Sequence, residues 1–319
     1  MEYIGVDAGA TWIKASRFDA TMRVLEHVSI PSGAGTGPHE YFASIAQAVA
    51  QCGRERLPIG LALPAALTPD GQKIHYLVNV KGLGVGSEGI TLPAALSPHM
   101  DAAQVVAAND ASCAALGEWG YGQGGSDLVV RLLHLTWGTG IGTGFVSNGR
   151  MHYGWEGGHL PVAHSRPAPL PCNCGSRTDI EAYAAVPHLV ASAYALWQER
   201  KTPTSLTAAD FADRTKTSSI LVQHAVAGDE LCQQVLQQGI HALAQGLAAM
   251  AVIAYPTVVT IGGAMMSHEW LLPRLHQAIA SGNEGLAAVV LPPTMVSQAK
   301  LGNDAGMTGA AMLARSRFG

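Results

Sequence analysis

Side chains capable of chemistry are concentrated between residues 154 and 181. The chain reads Gly154-Trp-Glu156-Gly-Gly-His159, then Cys172-Asn-Cys174-Gly, then Glu181. Carboxylates and an imidazole offer the donors and acceptors that vicinal sugar hydroxyls require. An imidazole and thiolates are also the ligands that zinc takes in closed tetrahedral sites. The stretch therefore predicts a polar substrate site beside a metal site, and two surface thiols next to a proline-rich loop are the alternative to the metal.

A run of alternating glycines is the second candidate. Gly138, Gly140, Gly142 and Gly144 are separated by Thr139, Ile141 and Thr143. Glycine weakens a strand unless another backbone or a phosphate must approach closely, so a hairpin that cradles phosphate fits this run. A tight hairpin near a packed helix is the alternative. The spacing does not match the G-x-G-x-x-G pattern of dinucleotide folds, because a strand rather than a helix is expected at residues 145–147.

Asp7 stands at the end of a predicted strand, in the sequence Asp7-Ala-Gly9-Ala-Thr11. Backbone N–H groups in such a turn can face an anion, and Asp7 could hold a hydrated Mg²⁺ through water. An ordinary β-turn that uses Asp and Gly for its own geometry is the alternative, which these residues alone favour.

Asn109 and Asp110 lie between a predicted strand at 105–108 and a predicted helix at 112–119. An aspartate at the carboxyl end of a strand in an α/β sheet lies where ligands usually bind. Asp110 could there accept the proton of a substrate hydroxyl as a general base. Capping of the helix by Asn or Asp is the alternative, which these residues alone favour.

The elements that must position these residues alternate between strands and helices, which indicates a layered α/β fold. Strands are predicted at 3–6, 13–18, 24–28, 59–63, 105–108, 128–135 and 258–261, and helical patterns at 41–52, 112–119, 180–255 and 304–315. A chain of 319 residues predicts two domains, with ligands expected in the cleft between them. The glycine-rich residues 121–127 mark the predicted junction.

The composition predicts a cytoplasmic protein that acts on small molecules. A formal net charge of -4 and a pI near 6.3 give no electrostatic basis for binding nucleic acid or an anionic membrane. Hydrophobic residues make up 48% of the chain, yet no apolar run of about 18 residues could span a bilayer. The N-terminus lacks the basic and apolar regions of a signal peptide. The odd number of cysteines, five, indicates reduced thiols rather than a disulfide framework.

With these motifs in place, the chain resembles, nearly end to end, the ROK family of bacterial sugar kinases and repressors, within the actin-like, hexokinase-like fold group. The turn at 7–11 is similar to that family's first phosphate motif, residues 138–144 to the second, and Ile261-Gly-Gly-Ala264 to the turn beside adenosine. Asn109-Asp110 resembles the pair that contains the catalytic base. Glu156-x-x-His159, Cys172-x-Cys174 and Glu181 resemble the sugar and zinc motifs, and residues 303–311 resemble the closing helix.

The resemblance implies an α/β, two-domain actin-like ATPase (ribonuclease H-like) fold with an interdomain cleft. Residues 1–120 plus 300–319 would form the N-terminal domain, and residues 121–299 the C-terminal domain with the zinc-motif region and the adenosine site. ATP and Mg²⁺ are the implied cofactors, together with a structural Zn²⁺. The implied partners are a sugar and a second copy of the chain, in a homodimer.

The resemblance also assigns roles to single residues. Asp110 is the implied general base, and the implied sugar-binding residues are Asn109, Glu156, His159 and Glu181. The residues implied to bind ATP are Asp7, Gly9, Thr11, Gly138, Thr139, Gly140, Gly142, Gly262 and Gly263. The implied zinc ligands are His159, Cys172, Cys174 and Asp179.

The chain departs from the family pattern at four places. Asp179 stands where the pattern has a third zinc cysteine, and Thr178 replaces the glycine before it. Aspartate can ligate zinc through oxygen. Trp155 replaces a small residue, and Pro64-Ala-Ala66 replaces a Pro-Gly pair beside the sugar. We therefore expect a more crowded pocket and an altered choice of substrate.

The sequence thus predicts ATP-dependent phosphorylation of a hexose or N-acylhexosamine hydroxyl. A sugar-binding regulatory protein of the same family, without turnover, is one alternative. The family's repressors carry an N-terminal helix-turn-helix, whereas this chain enters its first predicted strand at residue 3, which disfavours direct regulation of DNA. A kinase for a non-sugar polyol is the other alternative, and the same motifs would serve it.

Overall fold

The computed structural model describes residues 1–53, 56–78, 80–84, 86–124, 129–164, 168–212 and 217–319. Parts of four predicted features lie outside these ranges. They are residues 125–127 of the junction, residue 128 of the strand predicted at 128–135, residues 213–216 of the helical pattern predicted at 180–255, and residue 167, the first proline of the loop that precedes the two thiols.

Strands and helices alternate along the described chain, as the sequence predicts. The strands are β1 (Tyr3–Ala8), β2 (Trp12–Phe18), β3 (Val24–Pro31), β4 (Ile59–Leu63), β5 (Ala65–Leu67), β6 (Lys73–Leu77), β7 (Ile90–Thr91), β8 (Val105–Asn109), β9 (Arg131–Trp137), β10 (Ile141–Ser147), β11 (Arg150–Met151), β12 (Val258–Gly262) and β13 (Val296–Gln298). The α-helices are α1 (Pro38–Gln51), α2 (Leu92–Leu96), α3 (Asp110–Tyr121), α4 (Ile180–Ala184), α5 (Val186–Glu199), α6 (Thr217–Val226), α7 (Glu230–Ala254), α8 (Leu271–Gly282), α9 (Gly285–Val290) and α10 (Ala305–Phe318).

One mixed sheet of five strands has the order β3-β2-β1-β4-β8. β1 pairs antiparallel with β2, whereas β1, β4 and β8 run parallel. The carboxyl ends of parallel strands meet at one edge of a sheet, so Asp7 at the end of β1 and Asn109 at the end of β8 lie at the same edge. β4 is buried along its whole length, which explains its uninterrupted apolar sequence.

A second mixed sheet of five strands has the order β11-β10-β9-β12-β13. Within it β10 pairs antiparallel with β11, and β12 pairs parallel with β13. A short third sheet joins β5, β6 and β7. Two mixed sheets with helices between their strands confirm the predicted α/β fold.

The chain forms two compact units. The first comprises Met1–His134, Thr143–Trp155 and Ala299–Gly319, and the second comprises Leu135–Gly142 and Glu156–Gln298. The domain limits predicted at residues 121 and 300, and the predicted cleft, stay predictions.

The first unit is built around α10, which packs against β1, β4 and α3. Glycines permit this close packing. A Cβ atom at Gly309 would lie 1.7 Å from the carbonyl oxygen of Cys113, and one at Gly60 would lie 1.8 Å from that of Ala310. A larger residue at either glycine would push α10 away from its neighbours.

The second unit is built around α7, a helix of 25 residues that packs against α4, α5, α6, α8 and α9. Gly246 allows α4 to approach, since a Cβ atom there would lie 2.0 Å from Cδ1 of Ile180. No helix among the described residues is long and apolar enough to cross a bilayer. The five cysteines are free, and only Cys174 is exposed.

Candidate active site and metal centre

Asp7 lies near the end of β1, where its carboxyl group faces the first turn of α10. A Cβ atom added at Gly306 would lie 3.5 Å from Cγ of Asp7. Burial raises the pKa of Asp7, Lys14 opposes this effect and Asp304 adds to it. A partly desolvated carboxylate is stabilised by a nearby cation. The surroundings of Asp7 therefore fit the Mg²⁺ site that the sequence predicts.

Backbone groups of the turn after Asp7 are already hydrogen-bonded within the protein. The N–H of Gly9 donates to the carbonyl oxygen of Trp12 at 3.0 Å, and the N–H of Ser32 donates to the carbonyl oxygen of Thr11 at 3.0 Å. The first contact continues the antiparallel pairing of β1 with β2 around the turn, and the second continues the pairing of β2 with β3. The Thr11 side chain is exposed beside it, and a phosphate role for the turn stays a prediction.

Asn109 is the N-cap of α3, so the capping alternative is confirmed for this residue. Its Oδ1 accepts hydrogen bonds from the N–H groups of Ala111 at 3.0 Å and Ser112 at 3.2 Å, and its Nδ2 donates to the carbonyl oxygen of Ala65 at 3.3 Å. Asp110 is the first residue of α3, and its Oδ1 also accepts from the N–H of Ala111, at 2.8 Å. The strand end and the helix N-terminus together fix the position of the Asp110 carboxyl group.

Tyr41 is a buried residue of this edge that the sequence analysis missed. Its hydroxyl group donates to the carbonyl oxygen of Ala8, directly after Asp7. Burial is the main cause that raises the pKa of Tyr41, and the charges of Asp110 and Asp7 raise it further. The same three causes, in the same order, raise the pKa of the buried Cys113. The charges of Asp7 and Asp110 therefore both raise the pKa values of the same two side chains, Tyr41 and Cys113, within the first unit.

The alternating glycines divide between a turn and a strand. Gly138 donates from its N–H to the carbonyl oxygen of Gly140 at 3.1 Å, and the exposed Thr139 lies between them. β10 begins directly after this turn, so Gly142 and Gly144 belong to the strand. The turn of the predicted hairpin is therefore only three residues long.

Gly144 allows a helix to approach, as the packed-helix alternative expects. A Cβ atom at Gly144 would lie 2.5 Å from the carbonyl oxygen of Ala111 and 2.7 Å from Cβ of Ala115, both in α3. Gly138 is different, because among the described residues a Cβ atom there would meet nothing nearer than the backbone nitrogen of Ala264 at 3.9 Å. Packing within the protein accounts for Gly144 but does not account for Gly138.

Gly262 ends β12, and Gly263 makes the sharp turn that follows. The φ angle of Gly263 is 91°, in the left-handed region that favours glycine. A Cβ atom there would lie 2.4 Å from the carbonyl oxygen of Trp137. Both the backbone angle and the space therefore require glycine at this strand end, where ligands of α/β folds usually bind.

His159, Cys172, Cys174 and Asp179 form one cluster, and a ligand atom from each lies within 4.8 Å of the others. Oδ2 of Asp179 lies 3.3 Å from Nδ1 of His159 and accepts from Sγ of Cys174 at 3.1 Å. Sγ of Cys172 lies 3.5 Å from the same Nδ1. In a tetrahedral zinc site with bonds of about 2.0–2.3 Å, neighbouring ligand atoms lie about 3.3–3.8 Å apart. The donor types and spacing of the cluster therefore fit zinc.

The two carboxylate oxygens of Asp179 make different contacts. Oδ1 accepts a hydrogen bond from the N–H of Ala182 at 2.8 Å and caps α4, while Oδ2 faces the cluster. The hydrogen bond to Asp179 is the main cause that raises the pKa of His159, and burial opposes it. The residue that replaces the third cysteine thus reaches the His159–Cys172–Cys174 cluster from a helix N-terminus.

Glu181 lies between the metal cluster and the glycine turn. Its Oε2 accepts from the N–H of Ile141 at 2.9 Å, and its Oε1 accepts from the thiol of Cys172 at 3.1 Å. Glu156 lies beside His159, whose backbone N–H donates to the carbonyl oxygen of Glu156 at 3.1 Å. Burial is the main cause that raises the pKa of the Glu156 carboxyl group, the charge of His159 lowers it, and the charge of Glu181 raises it further. The structure therefore brings together the predicted carboxylates and imidazole of the second unit.

The chain is similar in sequence and structure to known sugar kinases. It is 28% identical over 333 residues to a glucokinase of Halalkalibacterium halodurans, covering 99% of this chain and 95% of that protein. It is 27% identical over 333 residues to an N-acetylmannosamine kinase of Citrobacter koseri, covering 99% of each. The crystal structure of a ROK family glucokinase from Streptomyces griseus in complex with glucose and AMPPNP matches with a TM-score of 0.78 at 24% identity, over 99% of this chain and 100% of that one.

The fold is the two-part α/β fold of actin-like ATPases, with two mixed sheets. Residues 3–317 match the ROK family. The chain therefore belongs to the ROK family, and the predicted resemblance is confirmed.

Proposed function

We propose that this chain is a sugar kinase that phosphorylates a hydroxyl group of a hexose or N-acylhexosamine with ATP. Membership of the ROK family carries the proposal, and the glucokinase and N-acetylmannosamine kinase among its relatives support this substrate class. The two aspartates at one edge of the first sheet supply the acidic groups that phosphoryl transfer requires.

Asp110 is the proposed general base. It accepts the proton of the attacking sugar hydroxyl as that oxygen bonds to the γ-phosphorus and ADP leaves. The bonds from Asn109 to α3 and to Ala65, and the bond from the N–H of Ala111, hold the Asp110 backbone and carboxyl group in place. A base held in position contributes about 10²–10⁴-fold to such a rate.

Asp7 is the proposed partner of Mg²⁺, which would neutralise charge on the phosphates when bound. The raised pKa of Asp7 supports this role, because a cation offsets the desolvation of its carboxylate. The proposed ATP-binding backbone also includes the turn at Gly9 and Thr11. Gly138, Thr139, Gly140 and Gly142 are the proposed phosphate residues of the second turn, and Gly262 and Gly263 are proposed to lie beside the adenosine.

Glu156, His159 and Glu181 are the proposed ligands of the sugar hydroxyls, together with Asn109. Carboxylates accept from hydroxyl groups and an imidazole can donate to them, so these residues suit a polyol. His159, Cys172, Cys174 and Asp179 would hold a structural Zn²⁺, whose bonds would fix the loop that carries them.

The test is a coupled assay of ADP release across a panel of hexoses and N-acylhexosamines. We expect turnover that depends on one or a few sugars and on Mg²⁺. A control without sugar measures ATP hydrolysis alone. Sugar binding without turnover across the panel would contradict the kinase proposal and favour a regulatory protein of this family. Turnover with non-sugar polyols alone would contradict the proposed substrate class.

A further inference from the structure

A polar cavity of about 220 Å³ lies between α7 and α8, within the second unit. The polar side chains that line it are Gln233, Gln237 and His241 from α7 and Arg274, Gln277 and Ser281 from α8. None of the described residues that line it carries a carboxylate. The cavity therefore presents one permanent positive charge, that of Arg274, beside amide, hydroxyl and imidazole groups.

Arg274 is held in a defined orientation. Its guanidinium carbon lies 3.4 Å from the ring centroid of Trp270, and its Nη1 donates to the carbonyl oxygen of Trp270 at 3.3 Å. Within the described part of the chain, no ion pair joins Arg274 to a carboxylate. Loss of hydration lowers the pKa of Arg274, although a guanidinium remains charged. An oriented guanidinium without a counter-ion is a suitable partner for a phosphate group.

The amide and hydroxyl groups of the cavity wall can form hydrogen bonds with hydroxyl groups of a ligand. The amides of Gln237 and Gln277 each carry donors and an acceptor. Gln233 donates from Nε2 to the carbonyl oxygen of Ala225 at 2.9 Å, which directs one donor away and leaves its amide oxygen to accept. Ser281 donates to the carbonyl oxygen of Gln277 at 2.9 Å and can still accept. A ligand with several hydroxyl groups would find partners along this wall.

The size and position of the cavity favour a ligand smaller than a nucleotide. Its volume of about 220 Å³ is below the roughly 300–1,000 Å³ of cavities that hold drug-sized ligands. Its α8 wall extends from Trp270 to Ser281, a rise of about 17 Å at about 1.5 Å per residue. The cavity therefore extends along α8, and none of the residues proposed to bind ATP or the sugar is among those that line it.

We propose that this cavity is a binding site for a small phosphorylated sugar, separate from the catalytic site. Arg274 binds the phosphate group, and the glutamines and Ser281 bind hydroxyl groups. The inference does not depend on kinase activity, because it rests on the lining of the cavity alone.

The test is equilibrium dialysis of the full chain with radiolabelled glucose 6-phosphate, in the presence of saturating glucose and ADP to occupy the proposed catalytic site. We expect Arg274→Gln to weaken binding at least about tenfold, since a charge-assisted phosphate contact is lost. Gln277→Glu should weaken it similarly through charge repulsion while Arg274 stays in place, so a folding defect of one variant would not decide the outcome. Arg23→Gln, at an exposed position in the first unit, is the matched control and should bind as the wild type does.

Three outcomes would overturn the proposal. The first is an unchanged binding curve in both cavity variants that fold normally. The second is displacement of glucose 6-phosphate by ATP together with a raised KM for ATP in Arg274→Gln, which would make the cavity part of the nucleotide site. The third is equal displacement by sulfate and by unlabelled glucose 6-phosphate, which would show an anion site without sugar recognition.

Discussion

Oε2 of Glu181 accepts a hydrogen bond from the backbone N–H of Ile141 at 2.9 Å. The carboxylate that is proposed to bind the sugar thus also holds the first residue of β10, directly after the glycine turn. Its other oxygen accepts from Cys172, one of the candidate metal ligands. A single side chain therefore connects the glycine turn to the metal cluster, and its removal has consequences for both folding and binding.

Substitution of Glu181 should separate these two roles. Glu181→Ala leaves the N–H of Ile141 without its acceptor, so the free energy of unfolding should fall by about 1–3 kcal/mol. Glu181→Gln keeps an amide oxygen for this bond and should lose less stability, while both variants should bind the sugar more weakly. Urea unfolding and sugar titration measure the two effects. Equal stability of the two variants would contradict the structural role.

The metal cluster should depend on Asp179 as well as on the cysteines. The wild type should contain about one zinc per chain, and Cys172→Ser should lose most of it. Asp179→Asn keeps an oxygen that can cap α4 but removes the charge that a metal ligand supplies, so zinc affinity should fall at least about tenfold. Elemental analysis and competition with a chelator measure these losses. A wild type purified without metal after growth with zinc would reject the site.

Asp7 should reduce stability at neutral pH, because burial raises its pKa above the ordinary value of 3.8. A carboxyl group with a raised pKa in the folded state contributes stability below its unfolded pKa and loses it as pH rises through the folded pKa. Asp7→Asn should therefore be more stable than the wild type at pH 7, and the difference should shrink toward pH 4. Urea unfolding without ATP or Mg²⁺ measures it.

Asp70→Asn is the matched control for this pH dependence. Asp70 is exposed, and a hydrogen bond from Thr68 lowers its pKa. Its carboxylate therefore contributes stability at neutral pH and loses that contribution as the pH falls, which is opposite to Asp7. A lower stability of Asp7→Asn at pH 7 would contradict the proposed desolvation of Asp7.

Two glycines of the alternating run should respond differently to alanine. Gly144→Ala brings a Cβ atom within 2.5 Å of the carbonyl oxygen of Ala111 and should cost about 1–3 kcal/mol or more. Gly138→Ala meets no atom of the described chain nearer than 3.9 Å and should fold normally. If phosphate approaches Gly138, this variant should raise the KM for ATP by about tenfold, equivalent to about 1.4 kcal/mol. An unchanged KM for ATP would remove Gly138 from the proposed phosphate turn.

The sequence predicts the local framework of this molecule well, because local patterns determine it. The strand at 59–63 is confirmed residue for residue, since an apolar run ended by proline has few other solutions. Other element ends differ by a few residues, as at α3, where Asn109 caps the helix ahead of the predicted start. The residue types at 159, 172 and 174 predict a cluster that the structure brings together.

Contacts between distant residues could not be predicted from such patterns. The proximity of Gly144 to α3 and the bond from Ile141 to Glu181 join residues that are far apart in the chain. The contact of the Tyr41 hydroxyl with the end of β1 could not be predicted from the sequence, because a tyrosine in an amphipathic helix is an ordinary core residue. Packing alone decides these contacts, so only the structure reports them.

Asp110 is the proposed base of a sugar kinase, and the decisive measurement is the kcat of Asp110→Asn with the best sugar of the panel. The variant keeps an oxygen to accept from the N–H of Ala111, so we expect it to fold and to bind sugar. Its kcat should fall by about 10²–10⁴-fold, because the group that accepts the hydroxyl proton is lost. Turnover by Asp110→Asn close to that of the wild type would contradict the claim.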